Sequence, residues 1–423
     1  MFSYNRGVTM KIVVQKFGGT SVRDEETRSH ARNHIQNALA DGYKVVVVVS
    51  AMGRSGDPYA TDTLLSLIGG AKTKVTKREQ DLLLSCGEAI SSVVFTGMLL
   101  QHGIKATSLT GAQAGFRTND DHTNAKIIKM DCERLIKELK VYDVVVVAGF
   151  QGSAKNGDTT TIGRGGSDTS AAALGAALQA EWVDIFTDVE GIMTADPRIA
   201  ENARPLSVVT YNEVCNLAYQ GAKVIHPRAV EIAMQSKVPI RIRSTYSDKP
   251  GTLVTTINRS NRGSDIKERT VTGIAHLSPI TQIKVLAKKG QYNLQTEVFK
   301  SMANEKISVD FINISPNGVV YTVTDEMSDK AEEILTGLGY DPVLERNCAK
   351  VSVVGAGIAG VPGVTAKIVT ALSEKGIRIL QSADSHTTIW VLVKQEDLVT
   401  AVNALHDAFQ LENETQEYER LDY

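Results

Sequence analysis

The chain has 423 residues, of which 42% are hydrophobic and 22% charged, a composition typical of a globular protein with a substantial core. Its formal net charge of −2 lacks the basic excess that nucleic-acid-binding proteins usually show. The longest purely aliphatic runs, at residues 45–49 and 144–148, are far shorter than the roughly 18 apolar residues of a membrane span. Composition and charge therefore argue against a nucleic-acid-binding protein and against a membrane protein.

The cysteines and histidines are not arranged as ligands or disulfide partners. Four cysteines, Cys86, Cys132, Cys215 and Cys348, are scattered without CxxC spacing, and the eight histidines form no cluster along the sequence. This pattern argues against a structural zinc site and against a disulfide framework. Residues 1–9 contain no apolar core of the kind that a signal peptide needs. We therefore expect a reduced, cytoplasmic protein whose own side chains form no metal site.

Between residues 10 and 260 the hydrophobic pattern predicts an α/β domain. Strands are predicted at residues 11–16, 44–50, 105–109, 143–148, 182–186 and 239–244. Helices are predicted at residues 78–102, 169–179 and 227–236. Continuous Val/Ile runs that alternate with helices indicate a mostly parallel sheet sandwiched by helices.

The last third of the chain contains an internal repeat, which begins after a polar linker at residues 258–269. Residues 283–285, 307–309 and 319–323 match residues 351–353, 377–379 and 389–393, about 70 residues later. Two copies of strand–helix–strand–strand–helix predict two α+β modules, at residues 270–345 and 346–423. The strand-like residues 271–276 have no counterpart in the second copy.

The first predicted strand ends in the turn Lys16-Phe17-Gly18-Gly19-Thr20-Ser21. Two glycines let backbone amides close on an anion, and we expect the positive end of the following helix to point there. The lysine adds a point charge for a phosphate, but it precedes the glycines and so does not form a Walker loop. Taken alone, a tight turn without a ligand is an equally good interpretation.

A second glycine-rich turn follows the strand at residues 143–148. Residues 149–152 (GFQG) end that strand, and residues 159–168 (TTTIGRGGSD) open the next predicted helix. Ligands of open α/β sheets bind at the carboxyl ends of the strands. Arg164 offers a bidentate fork for a carboxylate or a phosphate, and Asp168 lies in the first helical turn. The alternative for Asp168 is a favourable interaction with the helix dipole, which the three threonines and the GRGGSD segment make less convincing.

Three further features are candidates for contact with a ligand. Residues 187–198 (TDVEGIMTADPR) follow a strand and combine polar groups, a glycine and an arginine, which suits ribose and phosphates. Lys223 lies in the segment GAKVIHP, where on its own it is interpreted as a surface lysine. Glu88 lies in an otherwise apolar helix; the alternative is an exposed position, but the periodicity of the helix places Glu88 near the sheet. In that position its charge requires a partner such as a substrate ammonium.

Residues 355–360 spell GxGxxG after a predicted strand, which is the pattern of a dinucleotide-binding turn. A dinucleotide site also needs an acidic residue at the end of the next strand, where this chain has Leu380 and Gln381. The internal repeat therefore explains this segment better than a dinucleotide site does.

In order and spacing, these segments resemble those of aspartate kinases in the amino-acid kinase family. The repeat resembles the tandem ACT modules that bind amino-acid effectors in that family. The segments SAMGRSGDPYATDTLL, GFQG and ILQSADSHTTIW are similar to its Bacillus-type, diaminopimelate-sensitive branch. The resemblance implies an amino-acid kinase fold followed by two ACT-like modules. It also implies conversion of ATP and L-aspartate to ADP and 4-phospho-L-aspartate, with Mg²⁺ accompanying ATP.

The resemblance implies roles for individual residues, position by position. Lys16 matches the lysine that neutralises the transferring phosphoryl group, and Asp168 matches the carboxylate that positions the catalytic lysine. The other positions that match ATP contacts are Gly18, Gly19, Thr20, Ser21, Thr187, Asp188, Arg198 and Lys223. The positions that match aspartate contacts are Thr61, Glu88, Arg164 and Ser167.

The residue chemistry agrees with such a reaction. A substrate carboxylate with a pKa of about 4 is already ionised at neutral pH, so it needs no general base. Phosphoryl transfer depends mainly on positioning and on neutralising charge. Lysines, backbone amides and Mg²⁺ meet that demand. Two rival interpretations are a catalytically silent amino-acid sensor and a kinase that acts on glutamate or a carbamate.

The resemblance also implies regulation and assembly. The reaction would be the first step toward lysine and diaminopimelate, threonine and methionine, inhibited by meso-diaminopimelate or lysine, although threonine also fits the class. Effector contacts are predicted at Asn293, Gln295, Ser308, Asp310 and Asn313 of the first module. The alternative is that Asn293 merely caps a helix and that Asp310 is an edge-strand charge. Because ACT modules commonly pair between chains, a homo-oligomer, either a dimer or a tetramer, is expected.

Overall fold

The computed structural model describes residues 10–222, 224–256, 270–287, 293–356, 358 and 361–413. These residues form two compact units. The first contains residues 10–192, 205–218 and 224–256, and the second contains residues 193–204, 219–222 and the described residues from 270 onward. The linker predicted at residues 258–269 lies outside the described residues.

The helices and strands of the first unit alternate along most of its length. The strands are β1 (Ile12–Phe17), β2 (Lys44–Val49), β3 (Ala106–Leu109), β4 (Phe116–Thr118), β5 (Ile127–Met130), β6 (Val144–Ala148), β7 (Gln151–Ser153), β8 (Thr159–Thr161), β9 (Val183–Thr187), β10 (Val208–Thr210), β11 (Ile240–Ser244) and β12 (Thr252–Thr255). The helices are α1 (Glu25–Ala40), α2 (Thr61–Ser66), α3 (Lys77–Gln101), α4 (Gly111–Ala114), α5 (Glu133–Leu139), α6 (Gly166–Leu178), α7 (Tyr211–Tyr219) and α8 (Pro227–Ser236).

The centre of the first unit is an eight-stranded sheet with the strand order β10–β12–β11–β9–β1–β2–β6–β3. Within it β11 and β12 are antiparallel, and the other neighbouring strands are parallel. The valine runs of β2 and β6 are buried, as strands covered on both faces must be. The predicted mostly parallel α/β fold is confirmed.

Helices cover both faces of this sheet. On one face, Ile35 of α1 and Phe95 of α3 share a hydrophobic core with Val45 and Val47 of β2. On the other face α6 approaches the sheet closely at Gly175, where a Cβ atom would lie 2.3 Å from the Val183 side chain. Glycine is required there because any larger residue would push α6 away from β9.

Helix α3 is long and apolar enough, by length and composition alone, to cross a membrane. In the folded chain 56% of its most apolar 18-residue stretch is buried, which is typical of a core helix. The helix predicted at residues 78–102 corresponds to α3, whose apolar residues are interrupted by polar ones and so form no long aliphatic run.

A smaller four-stranded sheet, in the order β5–β4–β7–β8, lies beside the central one in the first unit. Strands β7 and β8 form an antiparallel hairpin in which Gln151 pairs with Thr161. Because β8 ends at Thr161, the chain passes directly from this hairpin into the turn that carries Arg164 and then into α6.

The second unit is an antiparallel sheet with helices. Its strands are β13 (Gly273–Leu286), β14 (Asp310–Ser315), β15 (Gly318–Thr324), β16 (Val343–Val354), β17 (Gln381–Asp384) and β18 (Thr388–Lys394). Its helices are α9 (Leu294–Asn304), α10 (Ser328–Gly337), α11 (Val364–Glu374) and α12 (Leu398–Ala408). The six strands form one sheet in the order β14–β15–β13–β16–β18–β17.

The two repeats share strands within this sheet. The first half of β13 pairs with the second repeat, with Gly273 opposite Val354 and Leu277 opposite Lys350. After an irregularity, the second half of β13 pairs with β15, and Lys284 lies opposite Val343 at the start of β16. Of residues 271–276, which have no counterpart in the second repeat, residues 273–276 therefore pair with β16 and extend the sheet of that repeat. The module boundary predicted at residues 345 and 346 stays a prediction, since each repeat also contributes to the other.

Residues 193–204 belong to the second unit although they fall within the predicted catalytic domain. The amide of Ile274 donates a hydrogen bond to the carbonyl of Thr194 at 2.7 Å. Ala195 and Ala200 are buried in the same core as α11 and α12. A single boundary near residue 260 therefore does not separate the two units, because residues 193–204 pack with the second one.

Candidate active site

Lys16 and Asp168 form a direct ion pair at the carboxyl end of the central sheet. Lys16 lies near the end of β1, and Asp168 lies in the first turn of α6. Lys16 Nζ is 2.7 Å from Asp168 Oδ1, with 13% and 14% of the two side chains exposed. The other carboxylate oxygen accepts a hydrogen bond from the amide of His226 at 3.4 Å. The carboxylate therefore holds the ammonium group at a fixed place in a partly desolvated position.

The turn after β1 packs tightly against the loop that follows β2. A Cβ atom on Gly19 would lie 2.6 Å from the carbonyl oxygens of both Ala51 and Gly53, so only glycine fits. The amide of Gly53 donates to the Gly19 carbonyl at 2.9 Å. At the other end of the turn, the hydroxyls of Ser21 and Thr245 are 2.7 Å apart. The ends of β1, β2 and β11 thus meet at this turn.

The amino end of helix α1, which we expect to face this turn, carries a side-chain cap of its own. It begins at Glu25, and Asp24 caps it by accepting a hydrogen bond from the Thr27 amide at 2.9 Å. Residues 19–21 instead form a short 3₁₀ turn. Any anion held here is therefore bound by the turn itself and by Lys16.

The second glycine turn, in contrast, leads into a helix without a side-chain cap. Gly165 precedes α6 with a left-handed backbone (φ 66°), and no side chain among the described residues caps the helix. A Cβ atom at Gly165 would lie 2.2 Å from the His226 side chain, so this position also requires glycine. The amide of Gly166 donates to the carbonyl of Gly163 at 3.0 Å. The positive end of the α6 dipole can still attract an anion to this turn.

Arg164 and Ser167 flank this turn. Arg164 is exposed, and its guanidinium makes no hydrogen bond or ion pair with the residues that the structure describes. Ser167 is buried at the start of α6, next to Gly149 at the end of β6. An exposed arginine three residues before a buried hydroxyl can bind a carboxylate.

Glu88 is a buried carboxyl group on α3 with one oxygen left over. Only 2% of the residue is exposed. Its Oε1 accepts a hydrogen bond from the Ala51 amide at 3.1 Å, whereas its Oε2 has no partner among the described residues. Burial raises the pKa of Glu88 to about 8. Such a group gains most from a cationic partner, which would favour its ionised form.

Ala51 links the two halves of the site. Its carbonyl contacts the Gly19 turn, and its amide binds Glu88. Helix α2, which Thr61 begins, packs against α3 next to Glu88, because a Cβ atom on Gly87 would lie 3.2 Å from Leu64. Ala51 therefore contacts both the Gly19 turn, which is the candidate phosphate site, and the buried carboxyl group of Glu88.

Thr187 and Asp188 continue the site at the end of β9. The carbonyl of Thr187 accepts a hydrogen bond from the Thr245 amide at 2.9 Å. Asp188 pairs with Arg54 of the loop after β2, with 2.9 Å between Oδ2 and the guanidinium. Sequence analysis missed Arg54 because an exposed loop arginine carries no signal of its own.

Two predicted nucleotide contacts fall outside the described residues of the first unit. Arg198 lies in the second unit, where its guanidinium is 2.7 Å from Asp196. Lys223 lies outside the described residues. Both assignments stay predictions.

The predicted effector residues surround β14 in the second unit. The side chain of Asn293 binds Glu297 and does not cap α9. Gln295 donates to the carbonyl of Ser315 at 3.5 Å, and Ser308 and Asn313 are exposed. Asp310 is more than an edge-strand charge, because it pairs with Lys350, which is only 4% exposed.

The chain is similar to known proteins along most of its length. The Amino acid kinase family matches residues 11–244, and the ACT domain family matches residues 343–407. The chain is 70% identical to Aspartokinase 1 of Bacillus subtilis (strain 168), over 95% of this chain and 100% of that protein. It is 40% identical to an aspartokinase of Geobacillus stearothermophilus, over 96% and 98% of the two chains.

Solved structures of an aspartokinase also match this chain over most of its length. Escherichia coli aspartokinase III in complex with aspartate and ADP (R-state) matches with a TM-score of 0.75 and 26% identity, over 94% of this chain and 99% of that one. The same enzyme in complex with lysine and aspartate (T-state) matches with a TM-score of 0.73 and 26% identity, over the same shares.

Proposed function

Because this chain belongs to the aspartokinases of the amino acid kinase family, we propose that it transfers the γ-phosphoryl group of ATP to the side-chain carboxylate of L-aspartate. The observation that carries the proposal is the pairing of two subsites across Ala51. One is the Gly19 turn with the Lys16–Asp168 pair, and the other is the buried Glu88 with its unpartnered oxygen. The first suits a phosphate chain, and the second suits an ammonium group.

Lys16 supplies the positive charge that phosphoryl transfer needs. As the aspartate carboxylate approaches ATP, two anions must come together, and a fixed ammonium group lowers that cost. Asp168 keeps the ammonium in place before the substrates arrive. The aspartate carboxylate is already ionised, so the chain needs no general base.

The aspartate subsite uses groups of opposite charge at its two ends. Glu88 would pair with the α-ammonium, and Arg164 with a carboxylate of the substrate. Ser167 adds a hydroxyl at the start of α6, and Thr61 lies at the start of the helix that packs beside Glu88. An α-amino acid meets both demands, and the second carboxylate of aspartate would accept the phosphoryl group.

Mg²⁺ fits this site as a partner of ATP. The carboxylates of Asp168 and Asp188 are each engaged with a cationic side chain, Lys16 and Arg54. We therefore propose that the ion is held mainly by oxygens of the ATP phosphates and by water, as is common for Mg²⁺. When bound, it neutralises phosphate charge in addition to Lys16.

Replacing Arg164 with alanine is expected to raise the KM for aspartate by about 10- to 100-fold, since a hydrogen bond to a charged group contributes about 1.5–3 kcal/mol. The KM for ATP should change by less than about threefold. Steady-state kinetics with each substrate varied in turn measures both constants. The matched control is Arg117→Ala, which removes an exposed arginine from β4 in the same unit. A raised KM for ATP with an unchanged KM for aspartate would mean that the two subsites are interchanged.

The proposal extends to control of the enzyme. We propose that an end product of the pathway that starts from aspartate, meso-diaminopimelate or lysine, binds near β14 of the first ACT module and inhibits the reaction. The relative solved with lysine and aspartate in a T-state supports an amino-acid effector for this class. In the described part of the chain the six-stranded sheet ends at β14 and β17, and edge strands of this kind can pair with a second chain, which supports a homo-oligomer.

Removing the chain after residue 269 would not test this control cleanly. Ala195 and Ala200 are buried in the second unit, and truncation would expose them. Asp310→Ala is also ambiguous, because it would leave the buried ammonium of Lys350 without its carboxylate. A point change at an exposed position avoids both problems.

Ser308→Ala is expected to raise the inhibitory concentration of the effector by about fivefold, since it removes one hydrogen bond of about 1 kcal/mol. Turnover without effector should not change. Inhibition is measured with meso-diaminopimelate, lysine and threonine in separate titrations. The control is Ser382→Ala, the same change on β17 at the opposite edge of the sheet. If only the control loses inhibition, the effector site lies in the second module.

A further inference from the structure

Asp81 is a fully buried carboxylate on α3 that the sequence analysis did not single out. None of it is exposed. It accepts hydrogen bonds from the Thr161 hydroxyl, from the Thr123 amide at 3.0 and 3.1 Å, and from His122 Nδ1 at 2.8 Å. A buried carboxylate is costly unless donors surround it, and here every donor comes from two segments.

These two segments enclose the turn that carries Arg164. Thr161 ends β8 directly before the turn, and its carbonyl accepts a hydrogen bond from the Ala125 amide at 2.9 Å. Gly163 has a left-handed backbone (φ 83°), and a Cβ atom there would lie 3.2 Å from the carbonyl of Thr123. Asp81 therefore binds both the start of the turn and the segment that packs against it.

A second charged side chain holds the same turn from α8. The guanidinium of Arg228 donates to the carbonyl of Ile162 and to that of Ala125, each at 3.0 Å. The start of the turn and the 122–125 segment that packs against it are thus both hydrogen-bonded to side chains of α3 and α8. Arg164 itself has no partner among the described residues, so its direction depends on how this turn is held.

We propose that Asp81 is a positioning residue for the aspartate subsite: through Thr161 and the 122–123 segment it sets the orientation of Arg164. The inference rests on the proposed function, in which Arg164 binds a carboxylate of aspartate. Asp81 and Glu88 are both buried on α3 and lie two helical turns apart on one face. One helix therefore provides the group for the substrate ammonium and fixes the turn that provides the group for the carboxylate.

The first test is Asp81→Asn, which keeps the shape of the side chain but replaces one acceptor oxygen with a donor. We expect the KM for aspartate to rise about tenfold, whereas the KM for ATP and kcat change by less than about threefold. The matched control is Asp158→Asn, because Asp158 joins the β7–β8 hairpin to α3 through Arg78 without contacting the 162–165 turn. The control should leave all three constants unchanged.

A double-mutant cycle separates positioning from general stability. In an Arg164→Ala background, Asp81→Asn should change the KM for aspartate by less than about twofold, because the group that it orients is gone. The same tenfold rise in both backgrounds, or a parallel loss of kcat and ATP affinity, would overturn the inference. If Asp81→Asn does not fold, Thr161→Val replaces it, with Thr161→Ser as the variant that keeps the hydroxyl.

The inference and the proposed function fail in different ways. If the unaltered chain does not phosphorylate aspartate, or if Arg164→Ala keeps a normal KM for aspartate, the proposed function or its aspartate subsite is wrong. If both behave as expected but Asp81→Asn and Thr161→Val have normal kinetics, only the role of Asp81 is wrong.

Discussion

Replacing Lys16 with alanine is expected to lower kcat by about 100- to 1,000-fold while the KM values for ATP and aspartate change by less than about fivefold. A charge that acts mainly on the transition state affects turnover more than substrate binding. The Asp168 partner would remain, partly buried and without its cation, so some loss of thermal stability is also expected. Steady-state kinetics and a thermal melt on the same preparation separate the two effects.

The control for Lys16 is Lys44→Ala. Lys44 lies at the start of β2, at the opposite end of the strand from the site, and pairs with Asp143 at 2.8 Å. Its removal should leave kcat unchanged. A Lys16→Ala enzyme with normal turnover would show that the Gly19 turn does not hold the transferring phosphate.

The second large effect is expected from Glu88→Gln, which should raise the KM for aspartate about 100-fold with little change in the KM for ATP. Removing one partner of a buried charge pair costs about 2–5 kcal/mol of binding. The amide keeps the acceptor for the Ala51 hydrogen bond, so the loop after β2 should stay in place. An unchanged KM for aspartate would remove Glu88 from the substrate site.

The pH dependence of aspartate binding tests the same residue independently. Because the pKa of Glu88 is about 8 in the free protein, its carboxyl group is mostly protonated at pH 6 to 7. Binding of the ammonium requires the ionised form, so the KM for aspartate should fall by up to about tenfold per pH unit until about pH 8. In Glu88→Gln this dependence should disappear.

As the pH rises, the folding stability of the free chain should fall while its affinity for aspartate rises. The pKa of Glu88 is raised from 4.5 to about 8, so the folded chain binds the proton more tightly than the unfolded chain does. Its contribution to stability is fully present below about pH 4.5 and is lost as the pH rises through about 8. Without aspartate, Glu88→Gln should therefore melt higher than the unaltered chain at pH 9, and by a larger margin than at pH 5. An equal margin at both values would contradict the raised pKa.

The fold of the first unit could be predicted because it is encoded in short sequence patterns. The valine runs of β2 and β6 can only be strands covered on both faces, and the glycines at positions 19 and 165 mark turns where no side chain fits. The burial of Glu88 followed from its place in an apolar helix. These features depend on a residue and its near neighbours in sequence.

Other features depend on pairing between distant segments. Strand β13 of the first repeat pairs with β16, and residues 193–204 pack in the second unit. Both contacts join parts of the chain that no sequence periodicity connects.

Two local features were predictable from the sequence but were not predicted. Asp24 caps α1, and an aspartate directly before a helix is a standard cap signal. Asp81 was also within reach, since it lies two turns before Glu88 on the same apolar helix.

The most direct test of the central claim is the formation of 4-phospho-L-aspartate from ATP and aspartate, trapped with hydroxylamine as the hydroxamate. The purified chain should form hydroxamate in the presence of Mg²⁺ and aspartate. Lys16→Ala should form it about 100- to 1,000-fold more slowly, and Glu88→Gln should need about 100-fold more aspartate. Hydroxamate formation that does not depend on aspartate, or that Lys16→Ala retains at the normal rate, would contradict the account.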